Sequence, residues 1–309
     1  MNDNFEAVTD CLSSSLTKKA LSEIDSDIKD SIRGMIAGNI IGDMLGVTNE
    51  AVKSPAPIKD ITGGGFLNLE AGEWTDDTSM LIALGESLHE KGHIDKENEL
   101  KHYRMWLNEG KYTPKGKAVG TGKTTEFAIK NGYPKSDRMS NGNGALMRSS
   151  IITPYYLNLS DMRLAEASGD SAKVTHGHAV SVFTNIIFSL VLKKVILGQT
   201  VNAAMSNVSQ KYRGLIEDVD IIFDKPERYI TTPYCVTSLQ TSLNIVSDSD
   251  SFEEAILKAV NLGGDADTIG AITGAIAGAR FGIKDIPERF LKFALSEKIL
   301  RYEGIKKFF

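Results

Sequence analysis

A chain of 309 residues that is 41% hydrophobic and 24% charged is long enough to bury a large core. Its formal charge of −5 and pI near 5.7 give no electrostatic footprint for nucleic acid or for an anionic membrane surface. Two cysteines, Cys11 and Cys235, are too few for a disulfide framework or a sulfur-rich zinc site, so the expected compartment is reducing and cytoplasmic.

The first residues, Met1-Asn2-Asp3-Asn4-Phe5-Glu6, lack the basic start and apolar core of a secretory signal. Residues 1–30 read as a polar N-terminal extension with Leu12, Leu16, Leu21, Ile24 and Ile28 at loosely helical spacing. No shift in composition, linker or repeat divides residues 31–309, which read as a single domain. From Ser31 onward an apolar period of 3.6 predicts helices over 32–46, 77–91, 98–110, 124–131, 160–172, 178–198, 200–215, 234–247, 252–262, 268–282 and 286–298. No continuously apolar run exceeds about a dozen residues, so no segment is expected to span a bilayer. Strand signals are confined to Ile151-Ile152-Thr153 and Tyr229-Ile230-Thr231, both short and unpaired, and the predicted fold is all-α.

Two predicted helices carry glycine at every fourth position: Gly34, Gly38, Gly42 and Gly46 in one, Gly270, Gly274, Gly278 and Gly282 in the other. A glycine inside a helix costs on the order of 1 kcal/mol relative to alanine, so two such series call for compensation by close backbone approach. That packing would bring Asp43, which follows Gly42, towards Asp265 and Asp267. A membrane dimerisation face is disfavoured because Arg33, Asn39 and Asp43 interrupt the first series and Arg280 ends the second.

Two acidic stretches precede apolar helical runs: Thr75-Asp76-Asp77-Thr78 and Asp265-Ala266-Asp267-Thr268. Either alone is compatible with helix capping, a common use of Asp and Thr. Together they offer four carboxylates whose mutual repulsion is relieved by hard divalent cations bound through oxygen, and two metals match that charge. A P-loop reading of Gly120-Thr121-Gly122-Lys123-Thr124-Thr125 fails in register, because Lys117 stands where the first glycine belongs. Asn141-Gly142-Asn143-Gly144 has the turn chemistry of an anion cradle, with an ordinary tight turn as the alternative. His176 is either a donor to a phosphate oxygen or a helix-start residue, and no third ligand completes a zinc site with His178.

Gly38-Asn39-Ile40-Ile41-Gly42-Asp43-Met44-Leu45-Gly46, Trp74-Thr75-Asp76-Asp77-Thr78, Ser140-Asn141-Gly142-Asn143-Gly144-Ala145-Leu146-Met147-Arg148, Thr175-His176 and Gly263-Gly264-Asp265-Ala266-Asp267-Thr268 together resemble the ADP-ribosylglycohydrolase family, in order and spacing, over roughly residues 31 to 300. The resemblance implies a compact orthogonal helical bundle with a two-metal centre of magnesium or manganese. It assigns Thr75, Asp76, Asp77, Asp265, Asp267 and Thr268 as metal ligands. Glu50 is the first candidate for the acid/base, with Asp76 and Asp267 assisting, and a solvated loop glutamate is its alternative. Gly120, Thr121 and Gly122, the Asn141 to Gly144 loop and His176 are expected to bind substrate. Some arginine-directed members of the family carry aspartate at the position of Gly120, which leaves the leaving group open.

The implied reaction is hydrolysis at C1 of the terminal ribose of an ADP-ribosylated protein. Two other readings come from different classes. The chain could be an immunity-type binding protein whose extension docks onto a cognate ADP-ribosyltransferase toxin. It could also be a metal-dependent phosphoester hydrolase.

Overall fold

The computed structural model describes the backbone of residues 18–309 and the side chains of residues 25–309. Most of the proposed extension therefore lies outside the described residues. The helices in chain order are α1 (Lys18–Gly46), α2 (Asp76–Lys91), α3 (Lys96–Glu109), α4 (Lys123–Asn131), α5 (Ile152–Tyr155), α6 (Asp161–Ala172), α7 (Ala179–Ile196) and α8 (Val201–Tyr212). They are followed by α9 (Glu217–Asp220), α10 (Cys235–Ser247), α11 (Phe252–Val260), α12 (Ala266–Phe281), α13 (Glu288–Ala294), α14 (Glu297–Leu300) and α15 (Glu303–Lys306). Among the described residues the only extended pairings are isolated bridges, and the protein is all-α.

Local chemistry explains several of the boundaries. Asp95, Ser160, Thr200 and Ser251 cap α3, α6, α8 and α11 through their side chains, while Gly92, Gly110 and Gly132 close α2, α3 and α4 in the left-handed conformation. Two sequence expectations shift. Among the described residues, helix α1 is already formed at Lys18 and runs without a break through residue 30. The helix expected over 286–298 divides at Leu295, where α13 ends and Ser296 precedes α14. Ile151 and Ile152, which read as a strand signal, lie in a helical turn that leads into α5.

The centre of the bundle is the pairing of α1 with α12. The two run antiparallel, with Gly34 against Gly278, Gly38 against Gly274, Gly42 against Gly270 and Gly46 against Ala266. At each of these glycines a methyl group would overlap the backbone carbonyl of the facing helix. The lost helix propensity is thus offset by backbone-to-backbone contact over three turns, which excludes water and brings in dispersion. Around this pair α7 forms an apolar core helix. Its 18 residues are long and apolar enough for a membrane span, yet 78% of them are buried among neighbouring helices. Trp74 and Trp106 are fully buried, and the Trp74 indole N–H is satisfied by the Tyr112 carbonyl at 3.0 Å.

Candidate active site

The glycine pairing fixes where three helix ends meet: the C-terminus of α1 and the N-termini of α2 and α12. A cavity of about 650 Å³ opens over them. Its wall holds Glu50, Asp76, Asp265, Asp267 and Thr268 together with Asn141, Gly142, Asn143, Gly144 and His176.

Asp43 organises the first acidic stretch. Fully buried on α1, it accepts the backbone N–H of Thr75 at 3.1 Å and of Thr78 at 2.9 Å, and the Thr75 hydroxyl at 2.9 Å. It therefore does for α2 what an N-cap does, from more than 30 residues upstream. Thr75 stands at the N-cap position and makes no side-chain capping bond. Capping accordingly leaves Asp76 and Asp77 free for other work. Asp77 is buried beneath the cavity, where its Oδ2 accepts the Thr268 hydroxyl at 3.5 Å and lies 3.3 Å from the Thr75 hydroxyl that is bonded to Asp43, and its Oδ1 has no hydrogen-bond partner.

The second stretch arrives from α12. Glu50 accepts the N–H of Ala266 at 2.7 Å, so this loop glutamate is tied to the first turn of α12. Carboxylate oxygens of Glu50, Asp265 and Asp267 lie within 4.8 Å of one another. The Asn143 amide donates to Asp265 at 2.5 Å and to the Ser238 hydroxyl at 2.9 Å.

These groups disturb one another's titration. Burial pushes the carboxyls of Asp76 and Asp77 well above the usual range, and the charges of Asp267 and Asp43 push them further. Asp267 is raised by burial and then by Glu50, and Asp265 is pushed up to about 7 by burial and by Asp267. Carboxylates so destabilised in their charged form, with a buried oxygen lacking any donor, fit the chemistry of hard divalent cations. The residues present thus suit a hard divalent cation, since the clustered donors of Glu50, Asp265 and Asp267 are all carboxylate oxygens.

Most of the residues singled out in the sequence line this cavity, with three departures. Thr121 is not on the wall; Gly120, Gly122, Lys123, Thr124 and Thr125 are. Thr75 and Asp77 sit below the wall, inside the protein. The Asn141 to Gly144 loop is also a poorer anion cradle than its turn chemistry suggests, because the Asn143 N–H is taken by the Pro233 carbonyl at 3.1 Å. Gly120 has φ +80° and sits so close to Asp76 that any side chain would meet its carboxylate.

The structure adds residues the sequence reading missed. Tyr234, Arg138, Phe66 and Met139 line the cavity mouth, and Phe66 and Met139 are 65% and 91% exposed. Arg138 and Met139 adjoin the Ser140 to Gly144 motif in the chain, which is their one signal, whereas Phe66 and Tyr234 lie outside the motifs.

Comparison with known proteins agrees with this arrangement. The profile of the ADP-ribosylglycohydrolase family matches residues 24–304. The ADP-ribosyl-(dinitrogen reductase) glycohydrolase of Rhodospirillum rubrum is 31% identical over 246 residues, covering 75% of this chain and 77% of that protein. ADP-ribosylarginine hydrolase Tri1 of Serratia proteamaculans is 30% identical over 258 residues, 80% of this chain and 69% of that protein. A solved structure titled ADP-ribosylglycohydrolase-related protein complex superposes with a TM-score of 0.76 at 29% identity, covering 91% of this chain and 96% of that one. Fold, carboxylate cluster and sequence similarity agree, and this chain is a member of the ADP-ribosylglycohydrolase family of hydrolases.

Proposed function

We propose that the protein releases ADP-ribose from modified protein side chains by hydrolysing the bond at C1 of the terminal ribose. The observation that carries this reading is the convergence of Asp76, Asp77, Asp265 and Asp267 with Glu50 at one end of a cavity large enough for a nucleotide sugar. Asp76, Asp77, Asp265 and Asp267, with the hydroxyls of Thr75 and Thr268, would hold divalent cations, which when bound would supply positive charge that orients ribose hydroxyls and makes water a better nucleophile at neutral pH.

The chain's own groups account for the rest. Glu50 sits at the cavity wall with its carboxylate oriented by the Ala266 N–H, in position to take the proton of the attacking water and return it to the departing acceptor atom. Water adds its oxygen to C1, the bond from C1 to the acceptor nitrogen or oxygen breaks, and the acceptor leaves with the proton. Anionic walls favour the positive charge that develops on the ribose ring as that bond stretches. Of the other lining residues, His176, Arg138 and Lys123 present polar hydrogens and positive charge suited to a diphosphate, while Tyr234 offers an aromatic face suited to a nucleobase. An arginine acceptor is supported by two relatives, from Serratia proteamaculans and Pseudomonas putida, that are ADP-ribosylarginine hydrolases.

Mass spectrometry of a mono-ADP-ribosylated protein before and after incubation with enzyme and magnesium tests this. Intact ADP-ribose and an unmodified acceptor are expected. Release of AMP would instead indicate cleavage of the diphosphate. Asp267→Ala is expected to lower the rate at least about 100-fold, the scale of losing a group that stabilises transition-state charge, and near-normal turnover in that variant would remove the carboxylate cluster from the mechanism. The binding-protein reading rests on residues 1–30, and removing them separates the two: loss of transferase inhibition with hydrolysis retained would assign docking to that segment.

A further inference from the structure

Arg148 is fully buried, although a guanidinium is rarely found away from water. Its Nη1 donates to the Gly144 carbonyl at 3.0 Å, its Cζ lies 4.4 Å from the centre of the Tyr103 ring, and Glu99, also fully buried, approaches Nη2 at 3.8 Å. The remaining contact of Nη2 is the Thr175 hydroxyl at 2.9 Å, and that hydroxyl lies 2.8 Å from Nδ1 of His176. Nε2 of the same imidazole faces the substrate loop, 3.6 Å from where a Cβ would stand on Gly142 or Gly144.

Proton accounting decides the direction of this relay. A guanidinium can only donate, so the Thr175 oxygen accepts from Arg148. The hydroxyl has one proton of its own, and of its two hydrogen-bond partners His176 Nδ1 is the one able to accept it. Leaving that proton unused inside the protein would carry the cost of an unsatisfied buried donor. Nδ1 therefore accepts, and a neutral imidazole whose Nδ1 accepts carries its proton on Nε2. Burial and the nearby Arg148 charge hold the ring neutral, with its pKa lowered to about 3.

We propose that Thr175, oriented by Arg148, is a positioning residue that fixes His176 as the Nε2–H tautomer and so makes it a permanent neutral donor to the bound ligand's phosphate oxygens. The assignment of that ligand as ADP-ribose rests on the function proposed above; the tautomer does not. Sequence reading gave His176 a donor role without saying which nitrogen carries the proton, and Thr175 and Arg148 supply that.

The test uses the full-length protein labelled with 15N-histidine, in which only five imidazoles contribute signals. Long-range 1H–15N spectra are expected to give His176 as the Nε2–H tautomer from pH 6 to 8. Thr175→Val keeps the side chain's shape and removes the relay proton, and His176 should then shift towards a mixture of tautomers. Affinity for ADP-ribose, measured by calorimetry with magnesium present, should weaken about 10-fold, the scale of one oriented hydrogen bond to a charged oxygen, and Thr175→Ser should restore both readings. An Nδ1–H tautomer in the unsubstituted protein overturns the proposal without any variant. So does an unchanged tautomer and affinity in Thr175→Val. Failure of the unsubstituted protein to bind ADP-ribose would count against the proposed function, and the spectra would still judge the relay.

Discussion

Asp43 and Asp77 bring the same carboxylate into the same interior, and their neighbours set them apart. Asp43 accepts from two backbone amides and a hydroxyl, which lower its pKa against the burial that raises it. Asp77 keeps one buried oxygen without a donor and is pushed well above the usual carboxylate range. Glu99 is a third case, outside the cluster: burial outweighs the attraction of Arg148 and raises it from 4.5 to about 7. In that window the folded chain holds a proton the unfolded chain has lost, so this group's contribution to stability is complete below pH 4.5 and falls as pH rises to 7. Glu99→Gln should therefore gain relative to the unsubstituted protein across that interval, by on the order of 3 kcal/mol at 1.36 kcal/mol per pH unit. Urea denaturation of both proteins at pH 5 and pH 8, without metal, measures the difference, and a constant gap would show that Glu99 ionises normally.

At the scale of elements, the pairing of α1 and α12 sets the distance between the two acidic stretches. Asp43 lies between Gly42 and Gly46 on α1, and Asp267 opens α12 beside Ala266, which packs on Gly46. Widening this pairing at its middle should loosen the bundle and move Asp43 away from Asp267 together. Gly274→Ala places a methyl against the Gly38 carbonyl, backbone against backbone, where no side chain can turn aside. A loss of about 3 kcal/mol in unfolding free energy is expected, the upper range for overpacking a tight core. Gly198→Ala, where a methyl would meet open space but the backbone has φ +90°, is a useful contrast, since its cost comes from conformation alone. Equal losses would argue that helix separation is not what the glycines protect.

For the whole molecule, the carboxylate cluster is a place where stability is traded for binding. Desolvated and mutually repelling acids weaken the fold, and on the proposed function a divalent cation that binds only the folded state would return the loss through mass action. Magnesium at about 100 times its dissociation constant should stabilise the protein by about 2.7 kcal/mol. Asp77→Asn should behave in the opposite sense in the two conditions: more stable than the unsubstituted protein without metal, and less responsive to it. Thermal unfolding with and without magnesium checks both signs, and a magnesium response equal to that of the unsubstituted protein would remove Asp77 from the ligand set.

The all-α fold was legible from the sequence because an apolar period of 3.6 repeats through most of the chain, and it reflects local geometry. The two glycine series and the two acidic stretches were legible for a related reason, since both are costly unless a partner compensates, and each named the other's partner. Which carboxylate caps α2, which nitrogen of His176 carries its proton, and why Arg148 is buried were settled by tertiary contacts. The segments that answer those questions, among them Asp43 with Thr75, Glu50 with Ala266, and Arg148 with Thr175, are separated by tens to hundreds of residues, and hydrogen-bond direction at such distances leaves no period or motif in the chain.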